Sequence, residues 1–215
     1  MKASSMVAAM ALKYFDIAGR AEPIRILFHI AGVQYDDVRI PFKEWPAVKE
    51  TTPLGFVPVL TIDGQEFCQS ISLTRYAAKL AGWYPESEVE ALKADMIAET
   101  VNEISSQAPR SKDEEEYKLL RKEFQSGAMK KYWTWIEGII QENGGCFISG
   151  DTPTYADLIV AQAVPAIQSG MWDHIDKDFF DDYPGVLATM KGIKDNEQVK
   201  AYYDSKKEAA TEREL

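Results

Sequence analysis

Tyr14, Arg20, Trp45, Lys49, Gln69 and Ser70 are the residues of this chain whose types and spacing could do chemistry together. Tyr14 sits at the end of an apolar run. A phenol hydroxyl placed there can donate a hydrogen bond to a ligand and favour the ligand's charged form. Arg20 stands just ahead of a helical pattern. Trp45 and Lys49 are four apart, so on a helix an indole N–H and an ammonium share one face. Ser70 lies where a strand pattern gives way to a helical one. It can cap that helix, and the free amide N–H groups of such a terminus make an anion site. Donors and cations of this kind suit a small anionic ligand. Each residue also has a plainer reading: Tyr14 and Trp45 as core aromatics, Arg20 as a surface partner of Glu22, Lys49 as a solvated cation and Ser70 as a cap alone.

The elements that must position these residues are set by hydrophobic period. Ala11–Phe15 reads as a short strand. Glu22–Ala31 places Ile24, Leu27, Phe28 and Ala31 at helical spacing, and Gly32 stops that helix. Tyr35–Ile40 reads as a second strand and Trp45–Glu50 as a short helix. Val57–Ile62 and Glu66–Cys68 flank Asp63-Gly64, a strong hairpin signal. Ser70–Ala81 is then a helix closed by Gly82. The order is βαβαββα, and the final hairpin makes the sheet mixed rather than purely parallel.

After Gly82 the character changes. Residues 83–87 read as a linker, and the chain from Glu88 onward is helical and rich in charge. Glu88–Ala108 carries Val89, Leu92, Met96 and Ile97 on related faces. Ser111 with Glu114 reads as a capping box for a helix running through Tyr132, Trp133, Ile136 and Ile140 to Gly144-Gly145. Ala156–Ile167 is apolar nearly all round, as a buried helix would be, and Thr154 with Asp157 forms its cap pair. Pro184–Ile193 and Glu197–Lys206 are two more short helices, with a polar tail from Glu208 expected to fray. The expected organisation is an extension over residues 1–10, an α/β domain over 11–82, a linker over 83–87 and an all-α domain over 88–215.

Composition excludes several function classes. Cys68 and Cys146 form no C-x-x-C pair and are too few for a disulfide framework, so a reducing compartment is the default. His29 and His174 lie far apart with no ligand spacing around them, and no metal site is expected. The net charge is −10, with nine basic against eight acidic residues in the first 84 and 15 against 26 in the remainder. An acidic second half argues against nucleic acid or an anionic membrane as the main partner. No apolar run reaches the length of about 18 residues that a membrane span needs. The opening MKASSMVAAMALKYF faintly resembles a signal peptide, but its apolar stretch is short and Lys13 interrupts it. A weakly structured extension in a cytoplasmic protein is expected, with Met10 as a second candidate start.

Taken in order, Tyr14–Arg25 (YFDIAGRAEPIR), Trp45 with Lys49, Pro53-Leu54-Gly55-Phe56-Val57-Pro58, and Gln69-Ser70 resemble the motifs of cytosolic glutathione transferases, the sigma class in particular. The resemblance runs from about Ala11 to about Tyr203 and is strongest over residues 14–80. It implies a thioredoxin-like N-terminal domain, an all-helical C-terminal domain, a homodimer, and detoxification chemistry with glutathione as co-substrate and no cofactor. It makes Tyr14 the donor that stabilises the glutathione thiolate and Arg20 a neighbour that tunes it. Gln69 and Ser70 would hold the γ-glutamyl carboxylate, Trp45 and Lys49 the glycyl carboxylate, and Val57 the cysteinyl backbone beside a cis Val57-Pro58 bond. Phe56 stands where relatives usually carry a polar residue, so only its backbone role carries over. Glu103 would contact the α-amino group of glutathione in the other subunit.

The resemblance also implies an electrophile pocket near Phe15, Ile104, Ala108 and Arg110. Vertebrate prostaglandin D synthases of this class carry a tryptophan where Arg110 falls, which argues against prostaglandin isomerisation. Two alternatives to transferase activity are a crystallin-like protein that kept the fold and lost turnover, and a ligandin that holds hydrophobic compounds. Thioredoxins share the proline bend but need C-x-x-C, so redox exchange is disfavoured.

Overall fold

A computed structural model describes residues 9–213. The described residues divide into two compact units, the first ending at Ala81 and the second beginning at Gly82. The first contains β1 (Met10–Phe15), α1 (Glu22–Ile30), β2 (Asp36–Ile40), α2 (Trp45–Lys49), β3 (Val59–Ile62), β4 (Gln65–Cys68) and α3 (Ser70–Ala81). This is the βαβαββα order expected from period. Of the extension expected over residues 1–10, residues 1–8 lie outside the described residues. Ala9 and Met10 belong to the fold instead: Met10 pairs with Ile62, and Ala9 exchanges backbone and side-chain hydrogen bonds with Asp63.

The strands lie in the order β2-β1-β3-β4, with β1 parallel to β2, antiparallel to β3, and β3 antiparallel to β4. The β3–β4 hairpin turns at Asp63 and Gly64, both with positive φ, which is the primed turn that an Asp-Gly pair favours. Leu12, Val59 and Leu60 from the sheet, Ile24, Leu27 and Phe28 from α1, and Leu73 and Ala77 from α3 form the core of this unit. α1 packs against α3.

The second unit is helical: α4 (Glu88–Gln107), α5 (Glu114–Phe124), α6 (Lys130–Glu142), α7 (Tyr155–Gln168), α8 (Pro184–Asp195) and α9 (Glu197–Arg213). α7 is its buried centre, packed against α4 and α8. The capping box at Thr154 and Asp157 is present.

Five features differ from the sequence reading. Trp83 and Tyr84, expected in a linker, are tied into the helical unit: Trp83 donates from Nε1 to Gln198 and accepts from the Tyr155 N–H, while Tyr84 donates to Asp95. The cap of α5 is Asp113, whose carboxylate accepts the Glu116 N–H, and Ser111 lies outside that helix with its hydroxyl on the Glu116 carboxylate. The helix expected to run unbroken to Gly144 contains a π-helical segment, Gln125–Met129, between α5 and α6. On α4 the buried face is Ala94, Ile97, Ala98, Val101 and Ile104, whereas Val89, Leu92 and Met96 are 62%, 60% and 44% exposed. α9 continues to Arg213, past the point where fraying was expected.

Candidate active site

Strand register brings most of the singled-out residues to one edge of the sheet. Lys13 pairs with Val59, and Val59 pairs with Cys68. The next residues outward are therefore Tyr14, Pro58 and Gln69, at the same end of three adjacent strands. β2 leaves the sheet at the same edge, because it runs parallel to β1 with Phe15 beside Ile40. The chain after β2 then delivers Trp45 and Lys49. Four segments far apart in sequence thus converge because a mixed sheet alternates the direction of its middle strands.

Tyr14 is buried, and its hydroxyl oxygen accepts the backbone N–H of Arg20 at 3.1 Å. That N–H comes from the 3-10 turn Gly19–Ala21, which leads into α1. With one lone pair occupied, the phenol keeps its proton to donate elsewhere. The Arg20 side chain itself is exposed. Gly19 makes the approach of this turn to the phenol feasible. Its φ is +47°, and a Cβ there would lie 2.7 Å from the Tyr14 hydroxyl.

Phe15 stacks on Phe42 at 4.8 Å between ring centroids and meets the edge of Trp45 at 5.1 Å. Trp45 is thereby fixed beside β1. Lys49 lays its aliphatic stem along Gly55, 3.5 Å from where a Cβ would stand. Val57-Pro58 is a cis bond, and Phe56 beside it is exposed. Gln69 has φ 76°, and its carbonyl accepts the Leu73 N–H, so Gln69 occupies the cap position and Ser70 is the first helical residue of α3. The cap expected at Ser70 is displaced by one residue. This edge therefore gathers an O–H donor, an indole, an ammonium and the start of α3 around the cis Val57-Pro58 bend.

The residues expected from the helical unit sit differently. Glu103 is exposed, and its carboxylate accepts from Gln107 Nε2 at 2.6 Å and from the Tyr132 hydroxyl at 3.4 Å. Ile104 is 2% exposed and packs in the core, Ala108 is half-buried at the end of α4, and Arg110 is exposed.

Two family models cover the chain: the N-terminal domain of glutathione S-transferases over residues 10–79 and the C-terminal domain over residues 98–206. The chain belongs to the glutathione S-transferase family. A probable glutathione S-transferase of Caenorhabditis elegans, gst-36, is 31% identical over 206 residues, covering 90% of this chain and 95% of its own. Among solved structures, prostaglandin synthase D of Nilaparvata lugens is 30% identical with a TM-score of 0.80, covering 91% of this chain and 97% of its own. The monomeric transferase Na-GST-3 of the hookworm Necator americanus is 27% identical with a TM-score of 0.73, covering 92% and 97%. The transferase is thus an enzyme of a known fold.

One buried charge near the edge escaped the sequence reading. Arg25, on α1, is hydrogen-bonded to the carbonyls of Ile17 and Ala18 and to the carboxylates of Glu22 and Asp37. Asp37 also pairs with Arg39, and burial together with the Asp37 charge holds the Tyr35 phenol well above its ordinary value. The signal available in the sequence was a single arginine interrupting the run Ile24-Arg25-Ile26-Leu27-Phe28, where α1 is buried on every side. Among the described residues no group of three or more His, Cys, Asp or Glu could hold a metal ion, and no helix is long and apolar enough to cross a membrane.

Proposed function

We propose that this transferase is a sigma-class-like cytoplasmic enzyme that conjugates the thiolate of glutathione to small hydrophobic electrophiles, without a cofactor. The observation that carries this reading is the Tyr14 hydroxyl, held at the sheet edge by the Arg20 N–H with its proton left to donate. A thiol has an ordinary pKa of about 8.5, and only its thiolate is a strong nucleophile. Lowering that pKa by about two units requires roughly 2.7 kcal/mol of preference for the anion. A hydrogen bond to a charged acceptor is of that order.

Gln69 and Ser70 at the start of α3 take the γ-glutamyl carboxylate, supported by the unpaired N–H groups of a helix terminus. The Val57 backbone and that of Phe56 hold the tripeptide at its centre, and Trp45 and Lys49 take the glycyl carboxylate. Thiolate stabilisation and proximity to the acceptor supply the rate. Phe15, Ala108 and Arg110 are the residues we assign to the electrophile side; Ile104, expected there too, is 2% exposed and belongs to the core of the helical unit.

We assign Glu103 to the α-amino group of glutathione bound in a second subunit. The exposed apolar positions Val89, Leu92 and Met96 on the same helix support a partner there. Sedimentation equilibrium tests this, with a monomer at micromolar concentration counting against it.

The first experiment compares wild type with Tyr14→Phe in conjugating glutathione to an aryl halide across pH. The expected result is a rate lower by about 100-fold at neutral pH, with the profile moved to higher pH. Equal rates and profiles would remove Tyr14 from the chemistry. Glutathione-dependent isomerisation of a prostaglandin is a second reading, favoured by the likeness to the Nilaparvata lugens prostaglandin synthase. Turnover of a prostaglandin endoperoxide separates it from conjugation alone.

A further inference from the structure

We infer that Arg25 is a positioning residue for the Tyr14 hydroxyl, acting through the loop between β1 and α1; the inference rests on the Tyr14 reading above. Arg25 is 1% exposed. Its Nη1 donates to the Ile17 carbonyl at 2.9 Å, the Ala18 carbonyl at 3.3 Å and Glu22 Oε2 at 3.3 Å, and its Nε donates to Asp37 Oδ1 at 3.1 Å. The two carbonyls belong to the loop whose next residues are Gly19, which crosses the phenol, and Arg20, whose N–H reaches it. One side chain therefore fixes the path of the segment that occupies the lone pair of the Tyr14 oxygen.

The same guanidinium carbon stands 5.7 Å from the centroid of the Tyr14 ring, and Nη2 has no hydrogen-bond partner. A cation beside the ring draws electron density from the phenol and strengthens its O–H as a donor to an anion. Packing alone does not call for this residue, because an apolar side chain of similar volume often fills such a site at least as well as a buried ion pair. The planar fork, which reaches two successive carbonyls and two carboxylates at once, is something lysine cannot reproduce. Arg25 touches neither substrate nor reacting atoms; it sets where the donor points and how strongly it donates.

The test titrates the thiolate absorbance of bound glutathione in wild type, Arg25→Lys, Tyr14→Phe and the double variant, alongside conjugation kinetics. Arg25→Lys is expected to bind glutathione within about threefold of wild type, to move the thiolate midpoint up by about one pH unit, and to lower kcat about tenfold below the midpoint. The double variant is expected to share the midpoint of Tyr14→Phe. An Arg25→Lys protein with a lower Tm and an unmoved midpoint overturns the inference, since that is a purely structural role. A double variant shifted beyond Tyr14→Phe also overturns it, because Arg25 would then act independently of the phenol. A midpoint unmoved by Tyr14→Phe overturns the thiolate reading itself, and this inference with it. Should Arg25→Lys fail to fold, Asp37→Asn loosens the guanidinium from its partly exposed end. An upward shift of the midpoint then supports the inference, and an unmoved midpoint overturns it.

Discussion

α3 and α7 both begin after an extended segment that ends in polar residues, Gln69-Ser70 in one and Thr154 in the other, yet their first turns are satisfied from different sources. At α7 the chain supplies its own anion. Asp157 is fully buried, and its carboxylate accepts the N–H of Ile148, the N–H of Thr154 and the Thr154 hydroxyl. At α3 Gln69 is exposed, its carbonyl accepts the Leu73 N–H, and the start of the helix lies at the edge that also carries Tyr14. On the function proposed above, two helix termini with similar polar residues are a finished structural joint in one case and a ligand site in the other. What distinguishes them is that a carboxylate three residues into α7 ties the cap residue Thr154 and the Ile148 N–H to the helix start, while α3 carries Ser72 at the third helical position, with no carboxylate there.

The comparison is sharpest where the joint is broken. Asp157→Ala leaves two buried N–H groups and a hydroxyl unpaired, and is expected to cost about 3 kcal/mol or more of stability. Urea denaturation measures this, while glutathione affinity of the folded protein stays within about twofold. A small loss would mean that the two termini are less different than their geometry indicates.

The buried carboxyl should also announce itself in pH. Burial pushes the Asp157 carboxyl up from 3.8 to about 6, against the pull of the hydrogen bonds from Ile148 and Thr154. Because the folded value lies above the unfolded one, the group's contribution to stability is fullest below about pH 4 and falls as pH rises through about 6. Above that it is flat. Asn at this position does not titrate. The stability of wild type relative to Asp157→Asn is therefore expected to fall by roughly 2 kcal/mol between pH 4 and pH 7. Paired denaturation curves at the two pH values check it.

The opposite behaviour is expected at the open terminus. Ser70→Ala should leave stability within about 0.5 kcal/mol. It should weaken glutathione binding by about tenfold, measured by calorimetry. A stability loss as large as that of Asp157→Ala, with binding intact, would turn α3 into a second structural joint.

Most of the edge was legible in the sequence because its residues carry local signals. An Asp-Gly turn, a strand-to-helix switch at Gln69-Ser70 and a helix-face pair at Trp45 and Lys49 each leave a mark within a few residues. Arg25 was missed because its meaning is tertiary: the carbonyls and carboxylates that hold it become neighbours only when the loop folds back over β1. On α4, period placed Val89, Leu92 and Met96 with Ile97, but the buried face is built on Ala94 and Ala98, whose small side chains give a weak periodic signal. The cap of α5 was set two residues early because both Ser111 and Asp113 are good cap residues, and the backbone path decides between them. The electrophile side was least legible, since shape complementarity to an acceptor leaves no spacing pattern.

The π-helical segment Gln125–Met129 has a consequence for how this chain can be edited. Such a segment holds one residue more than the α-helical turn it replaces, so it has the form of an insertion absorbed inside a helix instead of being expelled to a loop. On one side of it, Arg121 is fixed to the Asp173 carbonyl and Lys122 to Asp176; on the other, Trp133, Ile136 and Ile140 are buried. Removing a single residue there, Gly127 for instance, would restore a continuous α-helix and turn one set of anchors about 100° against the other. The segment acts as a phase shifter in the reading frame of side-chain directions, and the two halves of the helix were fitted to their neighbours with that offset in place.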